Sequence, residues 1–168
     1  MIAAIVVATV LCMLVVLLLR EGWLGYPPRR IPGSVLTRKE EAFLVACEEA
    51  FFPSGGPLPS GRDAGIVHYF ERMVAELPRR QRFLIRLLFV FVEHGGLLFG
   101  PIRSRITRQS RDERVRTFRD WELSSIYFRR TAFLSLRTLM TMAYFDAPAV
   151  SARVMSPDCA YAQPRLAS

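Results

Sequence analysis

Residues Ile2 to Leu19 form an unbroken apolar run of eighteen, with Thr9 as the only polar side chain and no charge. At about 1.5 Å per residue a helix of this length reaches roughly 27 Å, close to the hydrocarbon thickness of a bilayer. A cleaved signal peptide needs a basic residue ahead of the run, a shorter apolar core and small residues at a cleavage site. No Lys or Arg precedes the run, and LREGWLGYPPRR follows it without an A-x-A pattern. Leu11 stands before Cys12 where a lipoprotein signal would carry a small residue. The run therefore predicts an uncleaved transmembrane anchor over residues 1–24.

Arg20, Arg29 and Arg30 all follow the run. The positive-inside rule then puts the rest of the chain in the cytoplasm, as a single-pass protein of the inner membrane. Trp23 and Tyr26 suit the headgroup belt. YPPRRIPG reads as a stiff, extended linker, residues 25–35.

Beyond the linker the patterning is helical. Thr37-Arg-Lys-Glu40 has the form of a capping box, with Leu36 before it and apolar residues from Phe43 to Phe51 after it at helical spacing. Pro53 ends that helix. Asp63 is placed to cap a second, with Ile66, Val67, Phe70, Met73, Val74 and Leu77 inward. Pro78 opens a third, which stops at Gly95-Gly96. Its stretch Phe83 to Val92 is ten residues and contains Arg86, too short to span a bilayer; it is either a buried core helix or one lying on the membrane. Ser110-Arg-Asp-Glu113 is a second capping box and opens a fourth helix. IYFRRTAFLSLRTLMTMAYF forms a long fifth, in which Arg129, Arg130 and Arg137 argue against a second span. No strand-like alternation appears. The expected fold is all-α: an N-terminal transmembrane helix, then a compact bundle of about five helices over residues 36–147, then a flexible tail over 148–168.

FFPSGGPLPSGRDAGIVHYF, residues 51–70, holds three prolines and four glycines. It has no preceding strand and matches neither GxGxxG nor GxxxxGK[ST]. Pro57 and Pro59 also lack the N–H groups that a phosphate cradle uses. It reads as an interhelical turn, and no cofactor-binding residue is assigned. Three cysteines, Cys12, Cys47 and Cys159, stand far apart without metal-ligand spacing, and there are only two histidines. That predicts neither a disulfide framework nor a metal site. His68 with Glu71, and Glu93 with His94, are the weak candidates for acid–base or ligand roles, but no nucleophile motif accompanies them. His94 reads more simply as a histidine at a helix C-terminus.

The charge signal is stronger. The net charge is +8, and Lys39 is the only lysine. Arg79 to Arg137 carries fourteen arginines against five acidic residues. No nucleic-acid motif accompanies them, and beside an anchor they fit anionic headgroups or a protein partner better. Trp121, Tyr127, Phe128, Arg129 and Arg130 are the residues expected to contact a partner, since aromatics and arginine dominate interfaces.

LTRKEEAFLVACEEAFFP, the Gly/Pro turn and DAGIVHYFERMV resemble, in that order, the gluconate 2-dehydrogenase subunit 3 family. They also resemble the segment found ahead of long-chain alcohol oxidases of the GMC flavoprotein class. The resemblance covers residues 36–146 and extends to QSRDERVRTFRDWELS and the fifth helix. It implies a non-catalytic accessory subunit that docks, localises or matures its partner, with FAD and the redox chemistry in a large GMC-type partner subunit. No twin-arginine pair precedes the apolar run, which favours the cytoplasmic placement. The residues by themselves leave open a second class, a stand-alone basic protein of the membrane surface that binds anionic lipid.

Overall fold

The computed structural model describes Cys12, Met13, Val16 and residues 26–155. The predicted anchor therefore lies outside the described residues almost entirely, as do Trp23 and the tail beyond Met155. Among the described residues the chain is all-helical, with six α-helices, one 3₁₀ turn and no strand. None of these helices is long and apolar enough to cross a membrane.

Helix α1, Arg38–Phe51, begins at the predicted capping box: Thr37 Oγ1 accepts from the Glu40 N–H, and Glu40 returns the bond to the Thr37 N–H. It is the central helix, touching α2 (Ile66–Glu76), α3 (Arg79–Phe99), the 3₁₀ turn (Ile106–Arg108), α4 (Arg111–Glu122) and α5 (Tyr127–Phe145). Two aromatic clusters flank it. Phe89 meets Phe43 and Phe70, and Phe51 stacks on Phe118 at 5.0 Å with Phe133 beside both.

A helix enclosed on so many sides buries its polar residues as well. Glu40, Glu41 and Glu48 are buried, and each has a cationic or N–H partner. Arg86 reaches Glu40 at 3.2 Å, the Arg30 N–H donates to Glu41 at 2.6 Å, and the Arg30 guanidinium stands 3.7 Å from Glu48. Such pairing is what makes buried carboxylates tolerable.

Four local expectations are corrected. Helix α3 does not stop at Gly95-Gly96 but runs through both to Phe99, with Gly100 as its C-cap. The glycines are there for close approach: a Cβ at Gly95 would stand 2.6 Å from Cζ2 of Trp121, and one at Gly96 would stand 2.6 Å from the Ser104 carbonyl. Asp63 does not cap α2. It makes a reciprocal pair with Ser60 one turn earlier, and Gly65, in the left-handed region at φ 69°, begins the helix. Pro148 does not end the ordered chain. It occupies the first turn of a short α6, Pro148–Val154, whose Val150 is fully buried. The segment expected as an extended linker is pinned to the bundle from Tyr26 onward. Arg38 donates to the Tyr26 and Pro27 carbonyls, and Arg86 donates to that of Val35. Tyr26 is buried, so its ring belongs to the core and not to a headgroup belt.

Candidate docking face and the polar clusters beneath it

The connection from α4 to α5 turns on Ser124, whose Oγ accepts from the Ile126 N–H and whose carbonyl accepts from Arg130. This tight corner leaves Leu123, Ile126, Tyr127 and Phe128 pointing outward. Phe128 is 73% and Tyr127 64% exposed, and their rings meet edge to face at 5.8 Å. Arg130 is exposed beside them. Three of the five predicted contact residues are thus exposed at this corner.

The other two do not. Trp121 is buried against Gly95 and Phe91, and its role is core packing. Arg129 is buried as well: it pairs with Asp120 and lies over the Trp121 ring at 5.5 Å. Successive residues on a helix point about 100° apart, so Arg129 and Arg130 face different environments.

Burial also reapportions the arginine excess. Arg105, Arg114 and Arg129 are core residues. Arg114 bonds to Glu49 at 2.8 Å and to the Ala46 and Ile106 carbonyls, tying α4 to α1 and the 3₁₀ turn. Arg137 pairs with Glu122 at 2.7 Å.

Of the weaker candidates, Glu93 is a buried hub. It accepts from Tyr26 Oη at 3.1 Å, from the Thr107 N–H at 3.1 Å and from the Thr107 hydroxyl. Arg105 lies over the Tyr26 ring at 4.2 Å. Burial, with the Glu93 carboxylate next in weight, pushes the Tyr26 phenol up to about 12. These bonds bind the incoming chain and the 3₁₀ turn to α3; Glu93 carries structure. His94 faces the backbone, with Nδ1 3.0 Å from the Val90 carbonyl oxygen. His68 is exposed on α2, 3.7 Å from Glu71.

Sequence reasoning passed over Glu48. Its carboxyl lines two clefts, about 390 Å³ and about 430 Å³, that share Arg30 and Arg62 and run along the Gly/Pro turn. Burial raises its pKa from 4.5 to about 7 against the opposing pull of Arg30. Among the described residues Glu48 is thus the one carboxyl with a resolved shift to near neutrality, a group able to hold or release a proton there. Four glutamates sit on α1, and no local signal singles this one out; the packing of the other helices around α1 does. Among the described residues no His, Cys, Asp and Glu side chains cluster as a metal site.

The turn itself is anchored at both ends. The Gly61 N–H donates to the Phe52 carbonyl at 2.9 Å, and a Cβ at Gly61 would stand 2.8 Å from the Glu48 Cβ. Phe52 stacks on Tyr144 at 4.0 Å, and the Tyr144 hydroxyl donates to the Pro59 carbonyl at 2.6 Å.

In comparisons with family models, with curated proteins and with solved structures, nothing matches this chain. The resemblance to the gluconate 2-dehydrogenase subunit 3 family rests on the sequence motifs alone.

Proposed function

We propose that this chain is a membrane-anchored, non-catalytic accessory subunit that docks and localises a partner FAD-dependent oxidoreductase of the GMC type. The observation that carries the docking part is the exposed Leu123–Ile126–Tyr127–Phe128 corner with Arg130 at its edge. Large aromatics left in water on a rigid corner, next to a guanidinium, have the composition of an interface hot spot. The flavoprotein partner follows from the motif resemblance, and the anchor from the Ile2–Leu19 run. In this reading the domain is cytoplasmic and the flavin sits wholly in the partner.

Purification of the tagged full chain from its native membrane in mild detergent tests the proposal. A flavoprotein that co-purifies with flavin absorbance, and is lost from a Tyr127→Ala/Phe128→Ala variant, is the expected result. A chain that emerges without a flavoprotein overturns it.

A further inference from the structure

Helix α3 carries a second exposed apolar surface, on its outward side. Phe83, Leu84, Leu87, Val90 and Leu98 are between 51% and 74% exposed. Residues 83, 87, 90 and 98 fall on one face at helical spacing, opposite the buried Phe89, Val92 and Gly96. From Phe83 to Leu98 the stripe runs about 22 Å at 1.5 Å per residue. An apolar stripe this long calls for an occupant.

Where the chain enters the domain points to which one. Tyr26 is bonded to Glu93 in α3 and lines a small apolar pocket with Val90 and His94 at the edge of the stripe. Only six residues, including Trp23, separate Leu19 at the end of the apolar run from Tyr26. At the maximum of about 3.5 Å per residue they reach roughly 25 Å. Any bilayer that holds the run therefore lies within about one stripe length of α3. The described positions of the run, Cys12, Met13 and Val16, are themselves exposed. None of these three is buried against the stripe.

The charges around the stripe agree. Arg79 and Arg80 are exposed at the start of α3, and Arg29 is exposed on the incoming segment. The one acidic residue of α3 is the buried Glu93, and residues 26–36 carry none. An apolar stripe on a helix that opens with exposed arginines and carries no exposed carboxylate of its own is the pattern of a helix lying in the interfacial plane.

We propose that the outward face of α3 lies on the cytoplasmic leaflet of the membrane, with Phe83, Leu87, Val90 and Leu98 among the acyl chains and the flanking arginines at anionic headgroups. This rests on the anchoring part of the function proposed above and adds the orientation of the domain. The Tyr127–Phe128 corner, on other elements, is left for the protein partner.

Spin labels on the full chain in phosphatidylcholine–phosphatidylglycerol vesicles test this. Leu87→Cys and Val90→Cys are placed singly in a Cys12→Ser/Cys159→Ser background, where Cys47 is buried and does not label. Ser54→Cys, in the exposed turn after α1, is the aqueous control. Native Cys12, labelled with Cys159→Ser only, reports the run separately. The expected result is that labels at 87 and 90 relax with oxygen and not with a water-soluble nickel chelate, while that at 54 does the reverse. Labels at 87 and 90 open to the nickel chelate, or shielded from both reagents by a second copy or another protein, overturn the proposal even with Cys12 in lipid. A label at Cys12 that is itself in water overturns the anchor, and the two failures are told apart by that one site.

Discussion

The indole of Trp121 occupies the space that a side chain at Gly95 would need. A Cβ there would stand 2.6 Å from Cζ2 of the ring, closer than carbon atoms approach. This contact locks α4 onto α3 and lets the longest described helix continue through two glycines. It also buries the tryptophan that the sequence offers as a surface anchor.

Gly95→Ala is expected to destabilise the fold, although alanine is the better helix former by about 1 kcal/mol. Overpacking costs about 1–3 kcal/mol and should win. Gly56→Ala is the counterpart: nothing lies within 4 Å of its Cβ position, and its φ is not positive. That substitution should be neutral or stabilise by about 0.4–1 kcal/mol, through the unfolded chain. Urea unfolding of both variants measures the contrast, and equal midpoints would sink the packing argument.

Trp121→Ala should cost about 3–5 kcal/mol, as expected for a large core side chain. Tyr127→Ala and Phe128→Ala should stay within about 0.5 kcal/mol of the parent, since both rings face solvent. Thermal melts in detergent separate the groups. A melting temperature that falls as far for Phe128→Ala as for Trp121→Ala would mean that the corner belongs to the core.

The Glu48 carboxyl predicts a pH-dependent stability. Its folded pKa, about 7, lies above the ordinary 4.5, so folding favours the protonated form. The contribution is fully present below about pH 4.5 and is lost as the pH rises through 7. The span corresponds to on the order of 3 kcal/mol. Glu48→Gln cannot ionise and should gain stability relative to the parent between about pH 5 and pH 8. Denaturation midpoints that run parallel across that range would refute the assignment.

Cys47 is fully buried, and burial pushes its thiol well above the usual range. It should resist an aromatic disulfide reagent in the folded protein and react on unfolding. Mass spectrometry of the modified protein with and without denaturant reads this directly, and rapid native labelling at Cys47 would contradict its placement.

Local signals were the legible part. Both capping boxes form as their residues dictate, because a Ser or Thr and a Glu three residues on satisfy each other's N–H groups without outside help. The all-α class followed from apolar spacing. The Gly/Pro stretch is the turn that its missing N–H groups implied, although its first cap is Ser60–Asp63 and its helix starts at Gly65. The apolar run Ile2–Leu19 is a property of composition, and it carries the anchoring proposal from the sequence alone.

What only the tertiary structure decided concerns which of two similar residues turns inward. Gly95 and Gly96 look like a helix stop, and only the arrival of Trp121 and Ser104 makes them a passage for packing. Arg129 and Arg130 are indistinguishable in sequence, yet one pairs with Asp120 in the interior and the other borders an exposed corner. Glu48 is one of four glutamates on α1, and its raised pKa exists because the helices around α1 close over it. Caps and apolar periods are set within a few residues. Burial and the fields it creates depend on elements far apart in the chain, and no local pattern encodes them.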